Sequence, residues 1–101
     1  MMRLAHVAAV AAASLSFAPA MAAQGAYYQA TLATAPAKSA VVTRDTLWRC
    51  AGTTCTAPRS GTRDAILCEL VAQSAGQLTG FTVAGAAYDA DRLAKCNAKA
   101  K

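Results

Sequence analysis

Leu47–Ala57 reads LWRCAGTTCTA, and this stretch decides the fold. Two cysteines stand five positions apart, and the chain's single tryptophan lies two residues before the first. Side chains alternate between faces along a strand, so Thr46, Trp48 and Cys50 point one way while Leu47 and Arg49 point the other. Ala51-Gly52-Thr53-Thr54 is the expected turn, with Gly52 able to take a positive φ angle. A turn there sets Cys50 across from Cys55. At a non-hydrogen-bonded pair, that separation suits a disulfide. An isolated hairpin is marginally stable in water, so the covalent clasp has a physical purpose.

Working back from the hairpin, Val41–Cys50 is rich in β-formers. Residues 23–37 are uncharged and rich in alanine and threonine, and are expected to be a linker or a strand added at the sheet edge. Before them, Arg3 opens a short basic region, Val7–Phe17 is apolar, Pro19 breaks the run and Ala20-Met21-Ala22 fits a cleavage site. That order predicts a secretory signal peptide over residues 1–22. The apolar run is too short to span a bilayer, so no stable membrane anchor is expected after cleavage. The expected localisation is export to the periplasm or beyond the cell.

Forward from the hairpin, Pro58 ends the second strand and a helix follows. Thr62, or Ser60 close by, is the expected N-cap, with Asp64 in the first turn against the helix dipole. Leu67, Cys68, Val71, Ala72 and Ala75 share one helical face, and Gly76 stops the helix with Leu78 as its apolar contact. Gly80–Val83 alternates as a short strand, with Phe81 and Val83 inward. Asp89 then caps a second helix that carries Leu93 and Cys96 on its inner side. The expected fold is α+β: one small disulfide-stapled domain over residues 38–101, with hairpin, helix, short strand and C-terminal helix in that order.

Four cysteines behind an export signal favour two disulfides, and four cysteines allow three pairings. Sequence distance favours Cys50 with Cys55 and Cys68 with Cys96. A zinc site is disfavoured, because the x4 and x27 spacings lack paired C-x2-C knuckles. Redox exchange by Cys50 and Cys55 is also disfavoured, since oxidoreductases place C-x-x-C at a helix start. In the chain-entropy view, the longer loop contributes about 3–4 kcal/mol and the hairpin loop about 2 kcal/mol. Those are large terms for a core this small.

The whole framework resembles a known group. LWRCAGTTCTAPR at Leu47–Arg59, the C-x7-G-x4-F pattern of Cys68, Gly76 and Phe81, and LAKCN at Leu93–Asn97 carry the resemblance. It is to small exported proteins of Gram-negative, mostly alphaproteobacterial, origin, and it covers Tyr27–Asn97. What the resemblance implies is a signal peptide, two disulfides and no assigned activity, with no catalytic residue to carry over. Asp64 stands where the pattern has proline at the helix start.

The only histidine, His6, falls within the predicted signal, so the mature chain has no imidazole base and no histidine metal ligand. This points away from an enzyme, and no cofactor or metal is expected. Nine Lys/Arg against five Asp/Glu remain after residue 22, a net charge of +4. Arg44, Arg49, Arg59 and Arg63 gather around the hairpin and the helix start, which makes them the candidate anion-binding group, for phosphate or an anionic envelope polymer. Trp48 is expected to be the core anchor rather than a stacking platform. Export and the lack of interleaved aromatics argue against nucleic acid. The leading expectation is a non-enzymatic structural or partner-binding domain of the cell envelope. N-terminal sequencing of the protein recovered from the envelope fraction should begin at Ala23; an intact Met1 in soluble cytoplasm would refute the signal reading.

Overall fold

The computed structural model describes residues 26–101, so the signal segment and residues 23–25 lie outside the described part. Six antiparallel strands form one sheet, with two helices on a single face. The strands are β1 (Tyr28–Leu32), β2 (Ala40–Thr43), β3 (Thr46–Ala51), β4 (Thr54–Ala57), β5 (Leu78–Val83) and β6 (Ala86–Ala87). Helix α1 (Asp64–Ala75) separates β4 from β5, and α2 (Ala90–Asn97) ends the domain. The order across the sheet is β2-β3-β4-β1-β5-β6. This is an α+β architecture.

Both disulfides are formed, Cys50–Cys55 and Cys68–Cys96. Cys50 donates its N–H to Ser39 on the β2 side, so its pairing with Cys55 is a non-hydrogen-bonded one. The two Cα atoms are 3.9 Å apart. The loop that joins their strands is shorter than the sequence suggested. Ala51 pairs with Thr54, and only Gly52 (φ +64°) and Thr53 lie between.

The largest departure from expectation concerns residues 23–37. Where described, this stretch is neither a linker nor an edge strand, because β1 lies between β4 and β5 at the centre of the sheet. Its alternation is plain once placed: Tyr28, Ala30 and Leu32 are buried, while Gln29 and Thr31 face outward. Ala30 is fully buried and sits across from Cys55 on one side and Phe81 on the other. A small residue fits there because both neighbours are bulky.

The β-rich run 41–50 is two strands rather than one. Arg44 and Asp45 form the reversal, with Arg44 at φ 57°. Neither glycine nor asparagine marks this turn, and a non-glycine residue in the left-handed region costs about 1 kcal/mol. The helix cap also differs. Arg63 occupies the N-cap of α1 without a side-chain bond, while the Ser60 hydroxyl accepts from Thr62 N–H one turn earlier. Gly76 ends α1 at φ 122° and ψ −179°, outside the left-handed geometry of a Schellman ending. β5 begins earlier than expected because of a bulge. Thr31 pairs with Gly80 and Leu32 with Leu78, leaving Thr79 as an extra residue. Both Leu78 and Phe81 are thereby turned inward.

The covered face holds the core. Tyr28, Trp48 and Phe81 form a triangle of rings with centroids 6.0, 6.1 and 6.2 Å apart. Leu67, Cys68, Val71 and Ala72 of α1 pack onto the same cluster, and Cys96 ties α2 to α1 through its bond to Cys68. Asp89 caps α2 by accepting from Arg92 N–H at 2.9 Å. None of the described helices is long and apolar enough to cross a membrane.

Trp48 is fully buried, and its indole N–H donates to Thr43 Oγ1 at 2.9 Å. Trp48→Ala should cost about 3–5 kcal/mol in denaturant titration. Ala30→Leu should cost about 1–3 kcal/mol through overpacking, whereas Gln29→Leu on the open face should stay within about 0.5 kcal/mol. Equal effects at positions 29 and 30 would contradict the central placement of β1.

Candidate functional site

The four arginines do not converge as one group. Arg49 is exposed on the uncovered face of the sheet, across from Ala40 on β2 and Thr56 on β4. Arg44, Arg59 and Arg63 belong to loops at one end of the sheet, where Thr46 Oγ1 donates to Ser60 Oγ at 2.7 Å and ties two of these loops together. The Arg59 guanidinium lies 5.3 Å from the centre of the Tyr27 ring, a cation–π contact. Arg63 stands at the α1 N-cap, but Asp64 follows it immediately. That carboxylate already meets the positive end of the helix and accepts the Tyr28 hydroxyl at 2.9 Å. The helix start is therefore occupied by the chain's own acid.

Sequence reasoning missed a cleft between α1 and α2. It has a volume of about 440 Å³ and is lined by Asp64, Ala65 and Glu69 from α1 and by Tyr88, Arg92, Lys95 and Cys96 from α2 and its lead-in. The Tyr88 ring meets Phe81 edge-on at 5.0 Å, and the Arg92 guanidinium lies over it at 5.3 Å. Burial, then the nearby Asp64 carboxylate, raises the Tyr88 phenol above its ordinary range. Two acids face two cations here. The cleft thus carries no net formal charge, with its acids on one wall and its cations on the other. The signal that could have revealed it is the disulfide itself, since pairing Cys68 with Cys96 brings Asp64 and Glu69 beside Arg92 and Lys95.

A second depression, of about 360 Å³, runs along β2. It lies between Pro36–Val42 on one side and Ser74 and Ala75 at the end of α1 on the other. Val42, at its rim, and Leu47 are the exposed large apolar residues among those described, and they are register partners on the open face. They are 63% and 39% exposed.

Most other polar side chains in the interior join one element to another. Trp48 and Thr43 tie β3 to the end of β2, Thr46 and Ser60 tie β3 to the loop before α1, and Tyr28 and Asp64 tie β1 to α1. Asn97 gives the strongest case. Its side-chain oxygen accepts from Leu78 N–H and its amide donates to Leu78 C=O, both at 2.8 Å. The side chain mimics a strand partner.

The model of a family described as a family of unknown function (DUF8200) matches residues 8–98. Neither a curated protein nor a solved structure matches the chain.

Burial first, and then the hydrogen bond to Asp64, pushes the Tyr28 phenol from 10.0 up to about 12. A raised folded-state value means that the neutral phenol stabilises the fold. That contribution is complete below pH 10.0 and is lost as pH climbs towards about 12. Ultraviolet titration of tyrosinate should show a late step in the folded protein that Tyr28→Phe removes. The same late step in Tyr28→Phe as in the unaltered protein would contradict the Tyr28–Asp64 contact.

Proposed function

We propose, for a chain that belongs to the family of unknown function DUF8200, a non-catalytic role as an exported, disulfide-stapled domain of the cell envelope that binds a protein partner. One observation carries this reading. The groups with chemical potential are spent on fastening: four cysteines in two disulfides, and Tyr28, Asp64, Trp48, Thr43, Thr46, Ser60 and Asn97 in bonds between elements. What the fold turns outward instead is an apolar pair on an open sheet face. The two disulfides fit an oxidising compartment. The signal-like order of residues 1–22, the LWxCxGxxC hairpin and the Leu-x-x-Cys-Asn ending support the envelope assignment. The anionic-polymer reading has less support, because Arg49 stands on a different face from Arg44, Arg59 and Arg63.

The test compares the full chain with one lacking residues 1–22, both expressed in a Gram-negative host and treated with a mass-adding alkylating reagent. The full chain should reach the envelope with no cysteine labelled. The shortened form should stay in the cytoplasm, label at all four cysteines and lose its fold, since the two closed loops together contribute several kcal/mol, about 5–6 in the chain-entropy model. A reduced, folded cytoplasmic protein would refute the assignment. Chemical cross-linking in the intact envelope should shift the protein to one discrete heavier species. Recovery as monomer alone would remove the partner.

A further inference from the structure

The two edges of the sheet are finished differently. On the β5 side, β6 pairs with Thr82 and Val83, Tyr88 N–H donates to Phe81 C=O at 2.8 Å, and Asn97 meets both backbone groups of Leu78. That edge is closed near both of its ends. On the β2 side, Ser39 C=O accepts from Cys50 N–H at 2.7 Å. Alternation then turns Ser39, Val41 and Thr43 toward β3, and leaves the N–H and C=O groups of Ala40 and Val42 pointing away from the sheet. Among the described residues, no hydrogen bond closes them. An open row of this kind is a template for another strand.

We propose that β2 takes up an extended acidic segment of a partner protein as a seventh strand of the sheet. This rests on the partner-binding reading above and names its surface and the chemistry of its ligand. Side chains of an added strand alternate between faces, and β2 offers apolar cover on both. On the open face they meet Val42, which is backed by its register partner Leu47. On the other face they enter the depression beside Val41 and Ala75. Charge selects the partner. Lys38 and Arg44 flank the strand and Arg49 stands beside Ala40, whereas Asp45 is the single acid in the adjoining turn. The end of α1 that borders the depression carries no basic residue in its last turn, and its carbonyl pole is negative. Acidic side chains therefore belong on the open face, near Arg44 and Arg49, with small apolar ones in the depression.

A second copy of this chain fits poorly. The antiparallel register that pairs Ala40 of one copy with Val42 of the other sets Lys38 across from Arg44.

The test uses the protein purified with both disulfides formed and a labelled peptide of alternating glutamate and valine. Binding should slow amide exchange at Ala40 and Val42, weaken as salt rises, and fail with a lysine–valine peptide. Val42→Pro removes an outward N–H and leaves the internal ladder intact, so it should weaken binding by about tenfold or more while the near-ultraviolet dichroism is unchanged. Val42→Thr keeps the N–H and should retain strand addition, which separates a lost edge from a lost fold. Equal binding by Val42→Pro, equal binding of the lysine–valine peptide, or exchange protection centred on the α1–α2 cleft would overturn the proposal. Self-association abolished by Val42→Pro would also overturn it, by giving the edge to a second copy. In the envelope, a photo-cross-linker at position 42 should capture the partner while one at position 86 should not. Capture from position 86 alone would overturn the edge and leave the partner-binding reading standing; monomer in every arm would remove both.

Discussion

The structure depends on β1 lying between β4 and β5. Five residues at the beginning of the described chain join a meander, β2-β3-β4, to a second unit made of β5, β6 and the helices. Tyr28 is the centre of that junction. Its ring stands against Trp48 from the meander and Phe81 from the other unit, and its hydroxyl reaches Asp64 at the start of α1. One side chain thus touches three elements that are distant in sequence. Ala30 then lets the Cys50–Cys55 bridge and the Phe81 ring approach from opposite sides of the same strand. Without β1 the meander would have a second open edge, and the aromatic cluster would lose one of its three rings.

The two disulfides serve this arrangement differently. Cys50–Cys55 holds a strand pair that the backbone ladder leaves unbonded at that position, and so stiffens the meander next to Trp48. Cys68–Cys96 joins two helices that each rest on the same face of the sheet. Helix α2 is short and mostly exposed, with Cys96 its buried residue, so the bridge and the Asn97–Leu78 pairing are its principal anchors. Helices of about eight residues are marginal in water on their own. The covalent tie supplies what propensity does not.

Much of this was legible in the residues. The hairpin, both disulfide pairings, the inner face of α1, the Asp89 cap and the burial of Trp48 follow from alternation, helical spacing and cysteine distance. The central place of β1 was not legible, because Tyr28-Gln29-Ala30-Thr31-Leu32 alternates equally well at an edge or at the centre. Alternation shows which face is buried and says nothing of how many neighbours a strand has. The β2–β3 reversal was hidden because Arg44-Asp45 lacks the glycine or asparagine that usually marks such a turn. The bulge at Thr79 was hidden because it breaks the period of two that reveals strands. Of the candidate surfaces, the arginines were expected to gather as one anion-binding group, but their distribution over two faces depends on strand parity and loop paths. The cleft between the helices was within reach of the Cys68–Cys96 pairing, whereas the open edge of β2 needed the strand order.

The strand order also sets a timetable for folding. β1 is made first, yet its partners begin at Thr54 and end at Val83, and Tyr28 must wait for Ala57 on one side and Val83 on the other. The clasp at Asn97 comes later still. Closing such long loops before they are rewarded slows folding and delays it until the chain is nearly complete. A polypeptide built this way cannot complete its sheet until nearly all of it has been made. An unfinished chain of this kind is also the substrate that the proposed export requires, with its four thiols still unpaired.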